Sequence, residues 1–465
     1  MMAVIPMAQR FAEWNAGLAT DGFPDVVRGA ADRAIRDTMG VMAAGGVHPS
    51  VRALADRLPG APGPCSCLGR KAADAETAAL INGMAAHAWD FDDTSYTGIM
   101  HGSAVILPAA LALAEETAAD EETLLAAFVA GSEIAYTIAE VAGHGHYFKG
   151  WWATVTFGLL GATAAAAKVL GLDVERTRNA LGLAAASTAG GKAVLGTDGK
   201  PFLVGETAKR AIGFARAAGA GLSGPSGAIE GADGFLALLN DGASDVAEAE
   251  TLGVRWRLID PGLMFKTNPV CSAAHAPIEE LARLLDEAGA GASDIAAIEA
   301  EIPELVHISL RYPRPKTVQQ AQFSLPYALA CAALHGRVRL EDLNADEIES
   351  PAKHALMEKV ESAVAADLST DDMRARYPES ARLALTLADG RRLEGFCPEA
   401  RGMPGRPLTD SQLAEKFERC LEFAGLSVTK ADPWQSPLLD LAADVLGNPL
   451  AGNVLSPAQN YRNLG

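Results

Sequence analysis

Up to about residue 290, no stretch of this chain alternates apolar and polar residues as a half-buried strand would. Apolar residues recur at helical spacing instead, over 21–42, 121–141, 157–170, 173–186 and 206–220. In the second of these they are Leu124, Leu125, Phe128, Val129, Ile134 and Ile138. Side chains repeating every three or four residues line one face of a helix but scatter over both faces of a strand. The first half is therefore expected to be all-α. The character changes near Pro261. Ile298, Ala300 and Ile302 alternate with Glu299 and Glu301, a period-two strand. Arg382–Thr386 and Arg391–Phe396 flank Ala388-Asp389-Gly390, and Asp-Gly between two such runs signals a hairpin. Helices are expected between them, over 276–288, 324–335 and 351–365. Beyond Gly402-Met403-Pro404-Gly405 helices resume, with Leu408-Thr409-Asp410 capping 411–424 and Gly425 ending it.

A chain of 465 residues exceeds one ordinary core. The expectation is a mostly α protein in two parts. Residues 1–264 form a large all-α domain that 403–465 return to complete, and 265–402 form a smaller α+β lid domain. A net charge of −19 argues against a nucleic-acid partner. The six cysteines are scattered and form no CxxC pair, which weakens zinc, disulfide and iron–sulfur readings. No leader pattern and no uninterrupted membrane-length apolar run is seen, so a cytoplasmic protein is expected.

Carboxylates crowd one segment, NGMAAHAWDFDDTSYTGIMHGSAVILPAALALAEE from Asn82 to Glu116. Asp90, Asp92 and Asp93 stand between His87 and His101, just before an apolar run that reads as a buried helix. Buried carboxylates are costly unless paired, hydrogen-bonded or used. One reading has a carboxylate orient or activate His101 as a general acid or base. Another has the aspartates hold Mg²⁺. A third makes Asp92 or Asp93 the N-cap of the next helix. The loop Gly143–Gly150 offers His146, Tyr147 and Lys149, and Gly196–Pro201 places Lys200 beside a proline. Phe265–Cys271 joins the two parts, with Lys266 inside it and His275 opening the next helix. Clefts between domains are common ligand sites. Cys271 and His275 lie four apart, but a buried, inert thiol is the simpler reading. No GxGxxG follows a strand, so no dinucleotide site is expected.

Taken in order, these segments resemble the 2-methylcitrate dehydratase family, often labelled MmgE/PrpD. The resemblance is carried by NGMAAHAWDFDDT at 82–94, His101–Ser103, HYFKGW at 146–151, GTDGKPF at 196–202, GPSGAIEGADGF at 224–235, FKTNPVC at 265–271 with His275, and QFSLPY at 322–327. It implies an all-α domain with an α+β lid, a homodimer, and cofactor-independent proton abstraction next to a carboxylate of a small carboxylic acid. Loss of water, loss of CO₂ or epimerisation would follow. By motif position, Asp90, His101, Lys200 and Tyr327 fall where the family looks catalytic. Asp90 would orient or take a proton, His101 would be the main acid/base, Lys200 would hold a carboxylate, and Tyr327 would donate from the lid. Asp93, His146, Tyr147, Lys149, Trp152, Lys266 and His275 would line the substrate site. The chain also departs from the family pattern. Gly102 replaces a proline, Trp152 and Leu203 stand where histidines are expected, and Asn268 stands where tyrosine is common. Losing two imidazoles implies a less polar pocket, hence a less charged or bulkier substrate, or a binding protein without catalysis.

Overall fold

The computed structural model describes residues 5–447 apart from 20–21, 59, 70–71 and 427–432. The α domain is built on α1 (Met7–Gly17), α2 (Asp25–Gly46), α3 (Ala75–His87), α4 (Gly102–Thr117), α5 (Glu121–Ala142), α6 (Ala153–Val169), α7 (Val174–Ser187) and α8 (Gly199–Gly219). Acidic caps start several of them. Asp74, Asp120 and Asp173 each accept from the backbone N–H three residues on, which supplies a partner the first turn lacks. α5 is long and apolar enough to cross a bilayer, yet 94% of its most apolar window is buried against the rest of the protein. The apolar surface of α5 is thus largely consumed within one chain.

α3 and α8 pack closely because both carry glycine at the crossing. A Cβ on Gly205 would lie 2.0 Å from the Leu80 carbonyl oxygen, and one on Gly83 would lie 2.9 Å from the Gly205 Cα. Backbone cannot yield as a side chain does, so any larger residue must push the helices apart. α3 ends at His87 and α8 begins beside Lys200, so this contact sets the spacing of two polar groups that meet below. We expect Gly205→Ala to cost about 1–3 kcal/mol, the range for overpacking. A denaturant curve superposing on that of the wild type would show that the crossing tolerates a methyl group.

A two-residue strand, β1 (Thr94–Ser95), pairs antiparallel with β2 (Leu263–Met264). It is too short to leave a sequence pattern, yet it clamps the acidic segment to the chain entering the second domain. The lid follows with α9 (His275–Ala288), β3 (Ile295–Ile302), α10 (Leu325–His335), α11 (Pro351–Met357), β4 (Val360–Val364), β5 (Ala381–Leu387) and β6 (Arg392–Cys397). Its sheet runs β4-β3-β5-β6, with β4 parallel to β3 and the rest antiparallel. The expected hairpin is β5–β6, with Gly390 at φ 88° in its turn. The helix expected over 351–365 stops at Met357 and the chain re-enters as β4. β4 is an edge strand with little buried surface, so its pairing with β3 decides its state rather than any burial pattern.

α12 (Asp410–Ala424) closes the fold, with Thr409 and Gln412 forming a capping box and Gly425 left-handed at φ 69°. It lies on α2 and joins the two cores: Phe417 and Leu421 sit in the α-domain core and Cys420 in the lid core. Its Lys416 ammonium donates to Asp37 Oδ2 at 2.9 Å and to the Phe91 carbonyl at 2.8 Å. α13 (Leu438–Leu446) also packs on α2. The rest of the expected C-terminal return, 448–465, lies outside the described residues.

Candidate active site

His87 is the last residue of α3, and the chain then turns sharply through the acidic segment. Asp90 is left-handed at φ 50°, and so is Ile99 at φ 58°. For a β-branched residue that conformation is a genuine outlier. Such strain persists only where the surroundings over-determine it, and it gathers at sites of function. Asp90 is held on both its polar groups. Lys266 Nζ, completely buried, donates to the Asp90 carbonyl at 2.7 Å and to Oδ1 at 2.9 Å. Lys200 Nζ, in the first turn of α8, donates to the same Oδ1 at 2.8 Å.

Asp92 ties the histidines together. His87 Nδ1 lies 2.8 Å and His101 Nδ1 3.2 Å from Asp92 Oδ2. His101 Nδ1 also lies 2.9 Å from the Asp93 carbonyl. These partners only accept, so each Nδ1 carries a proton. His87 Nε2 is then the acceptor for Lys200 Nζ at 2.5 Å. Among the described residues His101 Nε2 has no hydrogen-bond partner, and Asp90 Oδ1 lies 3.9 Å from it.

Burial works against the charge of Asp90, but Lys200 and Lys266 outweigh it and hold the carboxyl well below the usual range. Asp92 is likewise held down against burial by the two imidazoles. Burial lowers Lys200, whereas Lys266 is raised by Asp90 against burial. Burial, with Lys200 beside it, brings His87 down to about 3, so the imidazole is neutral. Two carboxylates thus face two ammonium groups, and the inner cluster is close to charge-balanced.

A cavity opens on this cluster between the domains. Asp90, His101, Lys200, Trp152 and Tyr147 line it from the α domain and Ser309, Phe323 and Glu379 from the lid, with Cys271 at the linker. Trp152 brings its ring within 5.7 Å of Lys200 Nζ, and Phe323 lies 5.1 Å away on centroid distance. Burial and Asp90 push the Cys271 thiol up to about 12, which leaves no nucleophilic thiolate at neutral pH.

Several expected residues lie elsewhere. Tyr327 is inside the lid core, where its hydroxyl donates to the Asp342 carbonyl and receives Lys353 Nζ at 3.1 Å. Its helix turns that face inward, so it does not reach the cavity. His146 is buried among Trp151, Phe157 and Phe235 and bonds Thr156 Oγ1 at 2.9 Å. Lys149 is exposed and paired with Asp241. His275 receives the Asn268 backbone N–H at 3.2 Å, bracing the linker that carries Lys266. Asp93 sits behind His101, with Ser103 Oγ 2.5 Å from its Oδ2, and neither it nor Asp92 caps α4. Lys200 lies on a helix rather than in the expected loop. Leu203, at a position where a histidine was expected, packs on the α-domain core and does not line the cavity.

Other groups carried little or no signal of their own in the sequence. Asp92 was seen only as one of three carboxylates, and His87 only as a flank. Glu379 had no motif at all. It is buried, receives Ser272 Oγ and Tyr96 OH at 2.8 Å each, and is raised by burial.

His87, Asp90, Asp92 and His101 bring ligand atoms within 4.8 Å of one another. The donor set does not suit a divalent ion. Lys200 and Lys266 already occupy Asp90, both Nδ1 atoms face Asp92, and a further cation would meet two ammonium groups.

Asp93 gives a pH test. Burial raises its carboxyl from 3.8 to about 8. Between those values the folded state keeps a proton that the unfolded chain has released, so its contribution is complete below about 4 and lost as pH rises through 8. Thermal midpoints of the wild type should therefore fall more steeply from pH 5 to 9 than those of Asp93→Asn. Parallel curves would remove this assignment.

Comparison with known proteins agrees with the layout. Residues 9–246 match the MmgE/PrpD N-terminal domain and 269–431 the MmgE/PrpD C-terminal domain. The chain is 28% identical to human cis-aconitate decarboxylase over 73% of its own length and 71% of the relative. It is 26% identical to the mouse cis-aconitate decarboxylase over 73% and 70%. It is 23% identical to cis-aconitate decarboxylase of Aspergillus terreus over 88% of each chain. With both family domains matched in order over most of its length, this chain belongs to the MmgE/PrpD family.

Proposed function

We propose that the protein is a cofactor-independent lyase that transfers a proton at a carbon next to a carboxylate of a small polycarboxylic acid. The reaction is of the cis-aconitate decarboxylase kind. The observation that carries it is His101, whose Nδ1 is pinned by Asp92 and the Asp93 carbonyl while Nε2 faces a cavity with Lys200. An imidazole held in one tautomer and orientation is what acid/base catalysis requires.

In the proposed step, His101, protonated on both ring nitrogens, gives its Nε2 proton to an alkene carbon that bears a retained carboxylate, and the neutral ring that remains keeps its Nδ1 proton on Asp92. The bond to a departing carboxylate breaks, its electron pair forms the new double bond, and CO₂ leaves. Lys200 holds a retained carboxylate. The departing one lies against the apolar rings of Trp152 and Phe323. Losing that charge as neutral CO₂ is favoured beside apolar walls. Trp152 in place of an imidazole supports decarboxylation over dehydration, because a leaving hydroxyl needs an acid that an indole does not supply.

The reading is tested by incubating the protein in D₂O with cis-aconitate and a panel of di- and tricarboxylates. Deuterium incorporation and CO₂ release are followed by NMR. Incorporation into product with CO₂ release, unchanged by a chelator, is expected. Incorporation without CO₂ release would point to epimerisation or dehydration. No incorporation into any member of the panel would overturn the lyase reading and favour a binding protein.

A further inference from the structure

The inner cluster leaves a charge unmet. Asp90 and Asp92 balance Lys200 and Lys266, so a substrate with two or three carboxylates finds little surplus positive charge there. Another cation stands one ring away. Lys192 opens a short turn, Lys192–Val194, next to Leu195 of the cavity wall. It is 7% exposed, and its Nζ lies 3.6 Å from the centroid of the Tyr147 ring. Tyr147 lines the cavity, and its hydroxyl is 3.2 Å from Ser309 Oγ of the lid, which lines it too.

Among the described residues, no carboxylate and no hydrogen-bond acceptor pairs with Lys192 Nζ. The Lys192 side chain is mostly buried, and a ring face offsets only part of the cost of desolvating an ammonium that has no counter-ion. Burial, with Arg311 nearby, lowers it to about 8, so at neutral pH most of the population is charged. Arg311 stands two residues beyond Ser309 on the lid. The same rim carries a bond between the domains, from Tyr312 OH to the Leu195 carbonyl at 2.7 Å.

The geometry points to Lys192, with Tyr147 and Ser309, as a carboxylate subsite at the interdomain rim that binds a substrate carboxylate remote from the one held by Lys200. This rests on the lyase reading above. The Lys192 side chain leaves the Tyr147 ring for the incoming anion and the Tyr147 hydroxyl donates to it, while Ser309, whose hydroxyl donates to the Leu305 carbonyl at 2.7 Å, positions Tyr147. Lys192 thereby selects polycarboxylates over monocarboxylates.

The test is calorimetric binding of tricarballylate, a saturated tricarboxylate, and of butyrate, to the wild type, Lys192→Met and Lys192→Arg. A charge-assisted bond is worth enough that its loss weakens binding by about tenfold or more. Lys192→Met should lose that much for tricarballylate and nothing for butyrate, and Lys192→Arg should bind both as the wild type does. In turnover the Met variant should raise KM with kcat kept, the mark of lost uniform binding. Equal tricarballylate affinity in the wild type and Lys192→Met would overturn the subsite while leaving the lyase reading standing. No deuterium incorporation and no carboxylate binding by the wild type would overturn both. If Lys192→Met melts early, the same comparison with Lys192→Gln decides it.

Discussion

Turnover should fall by about 10²–10⁴-fold in His101→Ala, the range for losing a positioned general acid or base. The fold should remain, because His101 sits at a cavity wall and its ring fills little of either core. Asp92→Asn is the sharper companion. The amide presents an N–H where an acceptor is needed, so His87 and His101 lose the group that fixes their Nδ1 protons. It should lose turnover over a similar range while KM changes little. Near wild-type rates in both variants on the true substrate would overturn the assignment of His101 as the acid/base.

Asp90→Ala should be the most destabilising single change in the site, by about 3–5 kcal/mol. That is the cost of breaking a buried ion pair from one side. Two ammonium groups would be left facing each other with no carboxylate between them. Lys266 would keep only the backbone carbonyl of residue 90, and the left-handed turn there would lose half its anchor. The contribution has a pH signature. The Asp90 carboxyl is held below its ordinary value, so its stabilisation is present above about pH 4 and lost as pH falls further. Adding Lys200→Met to Asp90→Ala should recover much of the loss, because one of the two uncompensated charges is then gone. Chemical denaturation at pH 7 decides it. An Asp90→Ala midpoint equal to that of the wild type would mean that the two lysines find other partners.

Much of this architecture was legible before any coordinates. Helical spacing marked most of the long helices of the first domain, because burial of one face leaves a 3.6-residue period. The Thr409 cap, Gly425 and the Asp389-Gly390 turn were readable because local backbone chemistry dictates them. β4 was not, since an edge strand is stabilised by its neighbour and not by its own pattern. The start of α8 was placed too late because Pro201 reads as a break, although proline in a first turn removes a donor the helix does not use.

The same division runs through the site. Sequence alone determined that the carboxylates and the histidines beside them need partners, since charges at that density before a core helix are costly unpaired; that Lys200 joins them was implied by the resemblance. It could not determine which of them meet. That Asp92 binds both histidines, that Lys200 and Lys266 share Asp90, and that Glu379 enters from the lid depend on contacts between residues far apart in the chain. The glycine crossing of α3 and α8 and the two-residue pairing of β1 with β2 set those contacts. Tyr327 and His146 carry the right chemistry but point into cores, because the face of a helix that meets a cavity is chosen by packing against the rest of the fold and not by the residue itself.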